Sequence, residues 1–110
     1  NAPTVILIYN SGEFNKFKDK YKEIYTNIKD IISNVELSAI SAAIQNMILV
    51  ADSLGVGSCW MNSPLFCQED INKIINMDSE LVVILTLGYP AENGKRAPRK
   101  NILETVKRIR

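Results

Sequence analysis

Histidine is absent from the 110 residues of this chain. That removes Ser-His-Asp and Cys-His nucleophilic catalysis from within it, and His-based zinc chemistry with them. No metal site and no catalytic side chain is predicted, so any reaction must be carried by another acid/base group or by a cofactor. Cysteine is scarce. Cys59 and Cys67 are the only two, and their spacing suits neither a zinc knuckle nor a CxxC redox pair. One disulfide is open on arithmetic alone, but Asn1-Ala2-Pro3 leads straight into a strand-like run with no secretory signal in view. Both are therefore read as reduced thiols in a cytoplasmic protein. Long apolar runs are missing too, none approaching the roughly 20 residues of a membrane span. What remains is a globular composition, 46% hydrophobic and 23% charged, in a length that makes one domain, 1–110, and not two.

Charge is unevenly spread. Residues 95–110 hold seven basic residues against Glu104, a net +6, which leaves −5 for residues 1–94 of a chain whose total is +1. A basic end on an acidic body invites an anionic partner such as a phosphate, a nucleic acid or an acidic membrane; a solvated terminus is the plain alternative.

The element pattern is mixed. Thr4-Val5-Ile6-Leu7-Ile8-Tyr9 is a β-branched apolar run after a proline and predicts a buried strand, stopped by Asn10-Ser11-Gly12. From Phe14 to Ile32 apolar residues recur at helical spacing among Lys, Asp and Glu, which predicts an amphipathic helix. Ser33-Asn34-Val35-Glu36 matches a capping box and predicts a second helix start. That helix, Leu37–Leu54, is apolar almost all round, as a core helix or a subunit interface is, with Gly55 at its end. Gly57–Met61 reads as a short strand, Ser63-Pro64 as a turn, and Ile71, Ile74 and Ile75 as one face of a short helix. Leu81–Leu87 is a second buried strand, stopped by Gly88-Tyr89-Pro90. A polar loop, Ala91–Pro98, leads into Ile102–Ile109, which is open to either helix or strand. Strands interleaved with long helices imply a layered α+β or α/β core.

Few constellations carry chemistry. Gly55-Val56-Gly57 lacks the third glycine of a dinucleotide fingerprint and follows a helix instead of opening one, so that motif fails. Gln45 and Asn46 sit within the apolar helix, where amides need partners, structural or ligand. Trp60-Met61-Asn62-Ser63 is a strand exit that sets backbone N–H groups beside an aromatic, a useful geometry against a flat heteroaromatic ligand; Trp60 as plain core is the competing reading. Arg96 and Arg99 flank Ala97-Pro98, where a planar guanidinium on a proline-stiffened loop suits a phosphate; an inert surface loop competes.

Taken in order, three stretches resemble the nitroreductase family. Ala39 to Trp60 is similar to its central helix and following strand, Leu87-Gly88-Tyr89-Pro90 to its Gly-Tyr-Pro strand end, and Arg96 to Val106 to the basic, proline-containing stretch beyond. Pro3 to Ile8 also fits that family's strand after an Ala-Pro. The likeness implies an α+β, nitroreductase-like layered sheet with long apolar helices, built as an intertwined homodimer. It implies bound FMN that takes hydride from NADH or NADPH and passes it to a nitroaromatic, a quinone or a similar small-molecule acceptor. By the same resemblance, Met61-Asn62-Ser63 offers backbone N–H groups to the reactive edge of the flavin beside Trp60. Arg99 holds its phosphate, with Arg96 as a second contact. The family's N-terminal, Arg-rich flavin-binding stretch has no counterpart, so the sequence corresponds to the C-terminal portion of the family's fold. Neither nucleic acid nor membrane is expected as a partner. The rival readings are a relative that keeps the fold without flavin, and a small polyanion-binding module whose basic tail grips RNA.

Overall fold

The computed structural model describes residues 2–92, 94–95 and 97–109. Three strands form one antiparallel sheet in the order β1-β3-β2: β1 Thr4–Asn10, β2 Gly57–Met61 and β3 Glu80–Gly88. The last strand in the chain is thus the central one. It carries the most continuous apolar run, as a strand covered from two sides must. Its pairing with β1 runs from Thr4 opposite Leu87 to Asn10 opposite Glu80, with a register shift between Ile8 and Tyr9 where Val82 is the extra residue. Such a bulge sharpens the local twist of the sheet.

One long helix, α2 (Ile28–Ser53), lies on the sheet. Ile44, Val83 and Leu85 form the fully buried centre, with Ile6, Ile8, Ile40, Ile48, Trp60 and Leu87 packed around them. The helix closes as its glycine predicts. Gly55 has φ 71°, its N–H reaches the Asp52 carbonyl at 3.0 Å, and the Val56 N–H reaches that of Ala51 at 2.9 Å, the paired bonds of a Schellman end.

The sequence between β1 and α2 is where expectation and structure part. In place of one amphipathic helix from Phe14 there is a 3-10 turn, Glu13–Phe17, then a single α turn, α1 (Lys18–Tyr21), then irregular chain to Asn27. Tyr21, Ile24, Tyr25 and Thr26 are aromatic or β-branched and weak helix formers, so apolar spacing alone does not sustain the helix. Nor does a helix start at Ser33, which lies inside α2. Glu36, the acid of the expected capping box, is buried and employed elsewhere. Its carboxylate accepts from Asn10 Nδ2 at 2.9 Å and from the Phe14 N–H at 2.8 Å, and so ties the turn after β1 to the helix. With the start moved back to Ile28, α2 reaches 26 residues, and by length and composition it is apolar enough to cross a membrane, although the sequence showed no unbroken run of that length.

A 3-10 turn, Ser63–Cys67, and α3 (Gln68–Ile75) lead from β2 to β3. Tyr9 donates its hydroxyl to Asn72 Oδ1 at 2.9 Å, and Asn72 Nδ2 donates to the Ser79 carbonyl at 2.9 Å, which pins α3 to both long strands. The region left open between helix and strand resolves to one α turn, α4 (Ile102–Thr105), capped by Asn101 Oδ1 accepting from the Leu103 N–H at 3.0 Å.

Candidate functional site

The exit of β2 is the most constrained of the segments singled out in the sequence. Successive strand residues point to opposite faces, and the register fixes which. Trp60 sits opposite Leu85 and faces α2, while Met61 sits opposite Ile84 on the other face. The indole body therefore belongs to the core, and Trp60 and Met61 cannot present their side chains to one ligand together. Asn62 shares the Trp60 side, two residues on, and the indole Nε1–H donates to Asn62 Oδ1 at 2.8 Å. The Asn62 carbonyl accepts from the Leu65 N–H at 3.0 Å, which turns the chain into Ser63–Cys67. Pro64 stiffens that turn and offers no N–H. Ser63 and Asn62 are exposed. Asn62 lies just past the end of β2 with φ −96° and ψ −22°, so strand alternation alone does not foretell the clamp.

The basic loop is different. Arg99 lies in exposed, irregular chain, and Arg96 falls outside the described residues. Among the described residues the ion pairs are Lys16–Glu13, Lys22–Asp19 and Lys73–Asp70, and none of these involves Arg99. No hydrogen bond among those residues joins it to the Trp60–Ser63 exit. Cys59 and Cys67 are free and exposed, and Cys67 Sγ donates to the Pro64 carbonyl at 3.2 Å.

A second feature lies along the margin between α2 and the sheet. Asn46, Met47, Val50, Ala51, Leu54, Val56 and Leu87 line an open groove of about 450 Å³, almost wholly apolar. Gln45 and Asn46 are exposed, so the pairing that a buried amide would need does not arise. What sequence reasoning missed outright is the Asn10–Glu36–Phe14 cluster. Glu36 lies 26 and 22 residues from Asn10 and Phe14, and no local motif joins it to them.

A three-stranded antiparallel sheet backed by one long apolar helix, with a polar turn leaving one edge strand, is an α+β architecture, and its kin can be named. The nitroreductase family model matches residues 1–89, and the chain belongs to that family. The match ends at Tyr89, short of the basic stretch. Among solved structures the chain is similar to a nitroreductase from Desulfovibrio desulfuricans in complex with FMN. The identity is 18% over 94% of this chain and 69% of that one, with a TM-score of 0.60. It is also similar to a nitroreductase-like protein from Streptococcus mutans, at 19% identity over 99% of this chain and 63% of that one, with a TM-score of 0.56. The chain thus spans about two thirds of the length of these structures. At such identities the likeness is one of fold.

Proposed function

We propose that this chain forms part of an FMN-dependent oxidoreductase that carries hydride from NADH or NADPH to a nitroaromatic, quinone or similar small acceptor. The observation that carries the reading is the family match over residues 1–89, joined to a strand exit whose donors suit a flavin. Asn62 and the backbone of Met61–Ser63 supply neutral N–H groups, which fit the carbonyl and ring-nitrogen acceptors of an isoalloxazine edge. Arg99, with Arg96 as the second contact, supplies the planar cation that suits a phosphate. When bound, FMN would supply the hydride chemistry; the protein binds, orients and shields it. That division of labour suits a chain without histidine.

The assembly we propose is an intertwined homodimer. Only one stripe of α2 is covered, while Leu49, Val50 and Leu54 stand 58%, 58% and 71% exposed. Such exposed apolar surface is what a second copy across a two-fold axis would cover. The free, exposed thiols of Cys59 and Cys67 fit the reducing cytoplasm where we place it. The test is direct: the natural protein carrying these residues is expected to be yellow as purified and to release FMN on denaturation. Arg99→Ala should weaken FMN binding by about 1.5–3 kcal/mol, the worth of a hydrogen bond to a charged group. Arg108→Ala should do much less. Absence of flavin, with none taken up on titration, sinks the enzyme reading; equal losses from both arginines, with a steep salt dependence, would favour the polyanion-binding rival.

A further inference from the structure

The Trp60–Asn62 pair carries more than a turn contact. An indole N–H is a donor only, so it is the oxygen of the Asn62 carboxamide, and not its amino group, that faces Trp60. The 2.8 Å separation is that of a full N–H···O bond. An amide held by its oxygen presents both its N–H bonds to the other side. Asn62 is exposed, and among the described residues no protein group accepts from its Nδ2. The holder is itself held, because the Trp60 ring packs against the buried Ile44, Val83 and Leu85. The oxygen is also withdrawn from its ordinary task. An asparagine opening a helix normally accepts from a backbone N–H of the first turn, yet Asn62, which opens the Ser63–Cys67 turn, makes no such bond.

We propose that Trp60 is a positioning residue that fixes Asn62 as a hydrogen-bond donor toward the bound ligand. The exit then selects a flat ring whose edge accepts hydrogen bonds, a carbonyl oxygen beside an unprotonated ring nitrogen, over one whose edge donates. This rests on the flavin reading above, in which that edge is the reactive edge of the isoalloxazine. A fixed donor there stabilises electron density arriving on the ring and requires no reorganisation when it arrives. Free to rotate, the same amide would present either polarity.

The experiment compares the natural protein with Trp60→Phe, which keeps an apolar ring and removes the N–H, and with Asn62→Ala, Asn62→Asp and the Trp60→Phe/Asn62→Ala double variant. Asn62 is exposed, so its variants remain informative even where Trp60→Phe fails to fold. Three readouts are taken: exchange of the indole N–H by NMR in flavin-free protein, FMN affinity, and the midpoint potential of bound FMN. The indole N–H is expected to be protected in the natural protein and to lose protection in Asn62→Ala. FMN should bind about three- to tenfold more weakly in Trp60→Phe and in Asn62→Ala. The bound flavin should be harder to reduce in both, and hardest in Asn62→Asp, whose carboxylate still accepts from the indole but cannot donate. The double variant should be no worse than Asn62→Ala, because the two residues act in series. Equal indole exchange in the natural protein and in Asn62→Ala overturns the clamp and leaves the flavin reading standing. So does an unmoved potential in Trp60→Phe and Asn62→Ala. A protected indole in a natural protein that takes up no FMN instead refutes the flavin reading, and the assigned ligand with it.

Discussion

Helix α2 has two sides that composition does not tell apart. Ile44 looks onto the sheet and is 1% exposed, while Leu49 and Val50, no less apolar, are more than half exposed. The first side is bought by the chain's own β3, whose Val83 and Leu85 meet Ile44. The second is left largely exposed, and Val50 forms one wall of the open groove whose far wall includes Leu87 of β3. The difference teaches that an apolar residue count measures how much surface must be covered, not by whom. In an all-round apolar helix, the share the chain does not cover itself is the share open to a partner.

The adjacent residues Ala43 and Ile44 allow that contrast to be broken from either side. Ala43 is exposed. If the outward side is the dimer seam, Ala43→Glu buries an unpaired charge there, and the expected result is unfolding or aggregation, with no soluble folded monomer. Sedimentation at micromolar concentration checks this, and a stable, well-folded monomer of the natural protein would refute the dimer. Ile44→Ala attacks the inward side and should cost about 2–5 kcal/mol in a urea titration, through lost burial and the cavity left behind. A loss near zero would mean that Ile44 is not the keystone of the sheet contact.

Glu36 sharpens the comparison, because it is the polar member of the inward side. Glu36→Gln keeps the shape but places an amino group against either Asn10 Nδ2 or the Phe14 N–H. Asn10 cannot readily turn to help, since its Oδ1 accepts from the Gly12 N–H at 3.0 Å. The expected loss is about 1–3 kcal/mol, the cost of a mispaired buried group, read as a lowered melting temperature with unchanged helix content. An unchanged melting temperature would remove Glu36 from the packing account. The smallest effect belongs to Gly55→Ala, about 1 kcal/mol, from the left-handed backbone alone. An added Cβ there meets no atom within 4 Å, so a larger loss would show that the helix end is covered by something the chain does not itself supply.

Much of this fold was legible in the residues. The β-branched runs at Thr4–Tyr9 and Leu81–Leu87 became strands, Gly57–Met61 became a second edge strand, and Gly55 ended the helix, because each signal is local and strong. Thr4–Tyr9, expected buried, lies at the other edge of the sheet and buries no residue fully, since only β3 has a neighbour on both sides. The segment Phe14–Ile32 was not legible. Helical spacing of apolar residues survives a 3-10 turn and a bend, and periodicity cannot see the weak propensities that break the helix between them. Ser33-Asn34-Val35-Glu36 misled for a different reason. Its glutamate was claimed by Asn10 and Phe14, partners remote in sequence, and a motif read locally cannot register such competition. At the candidate site the strand exit could be found from sequence, but the opposed directions of Trp60 and Met61 needed the register with β3. Among the described residues no hydrogen bond holds Arg99 to that exit, so its part rests on the chemistry of a guanidinium rather than on placement.

The strand order β1-β3-β2 also sets a timetable. Thr4 cannot meet Leu87 until the chain has been synthesised past both, and a growing chain has no central strand on which to lay β1 or β2. During that interval α2 is complete and its sheet-facing stripe has no β3 to cover it, so the nascent chain passes through an adhesive state just before it acquires a sheet. Non-local pairing of this kind folds slowly and is exposed to aggregation. A chain cut before Glu80 should accordingly show helical circular dichroism, no protected strand amides, and capture by chaperones that release the intact chain; protected β1 amides in the cut chain would contradict the timetable. The demand on the cell's folding machinery is thus written into the late position of one nine-residue strand.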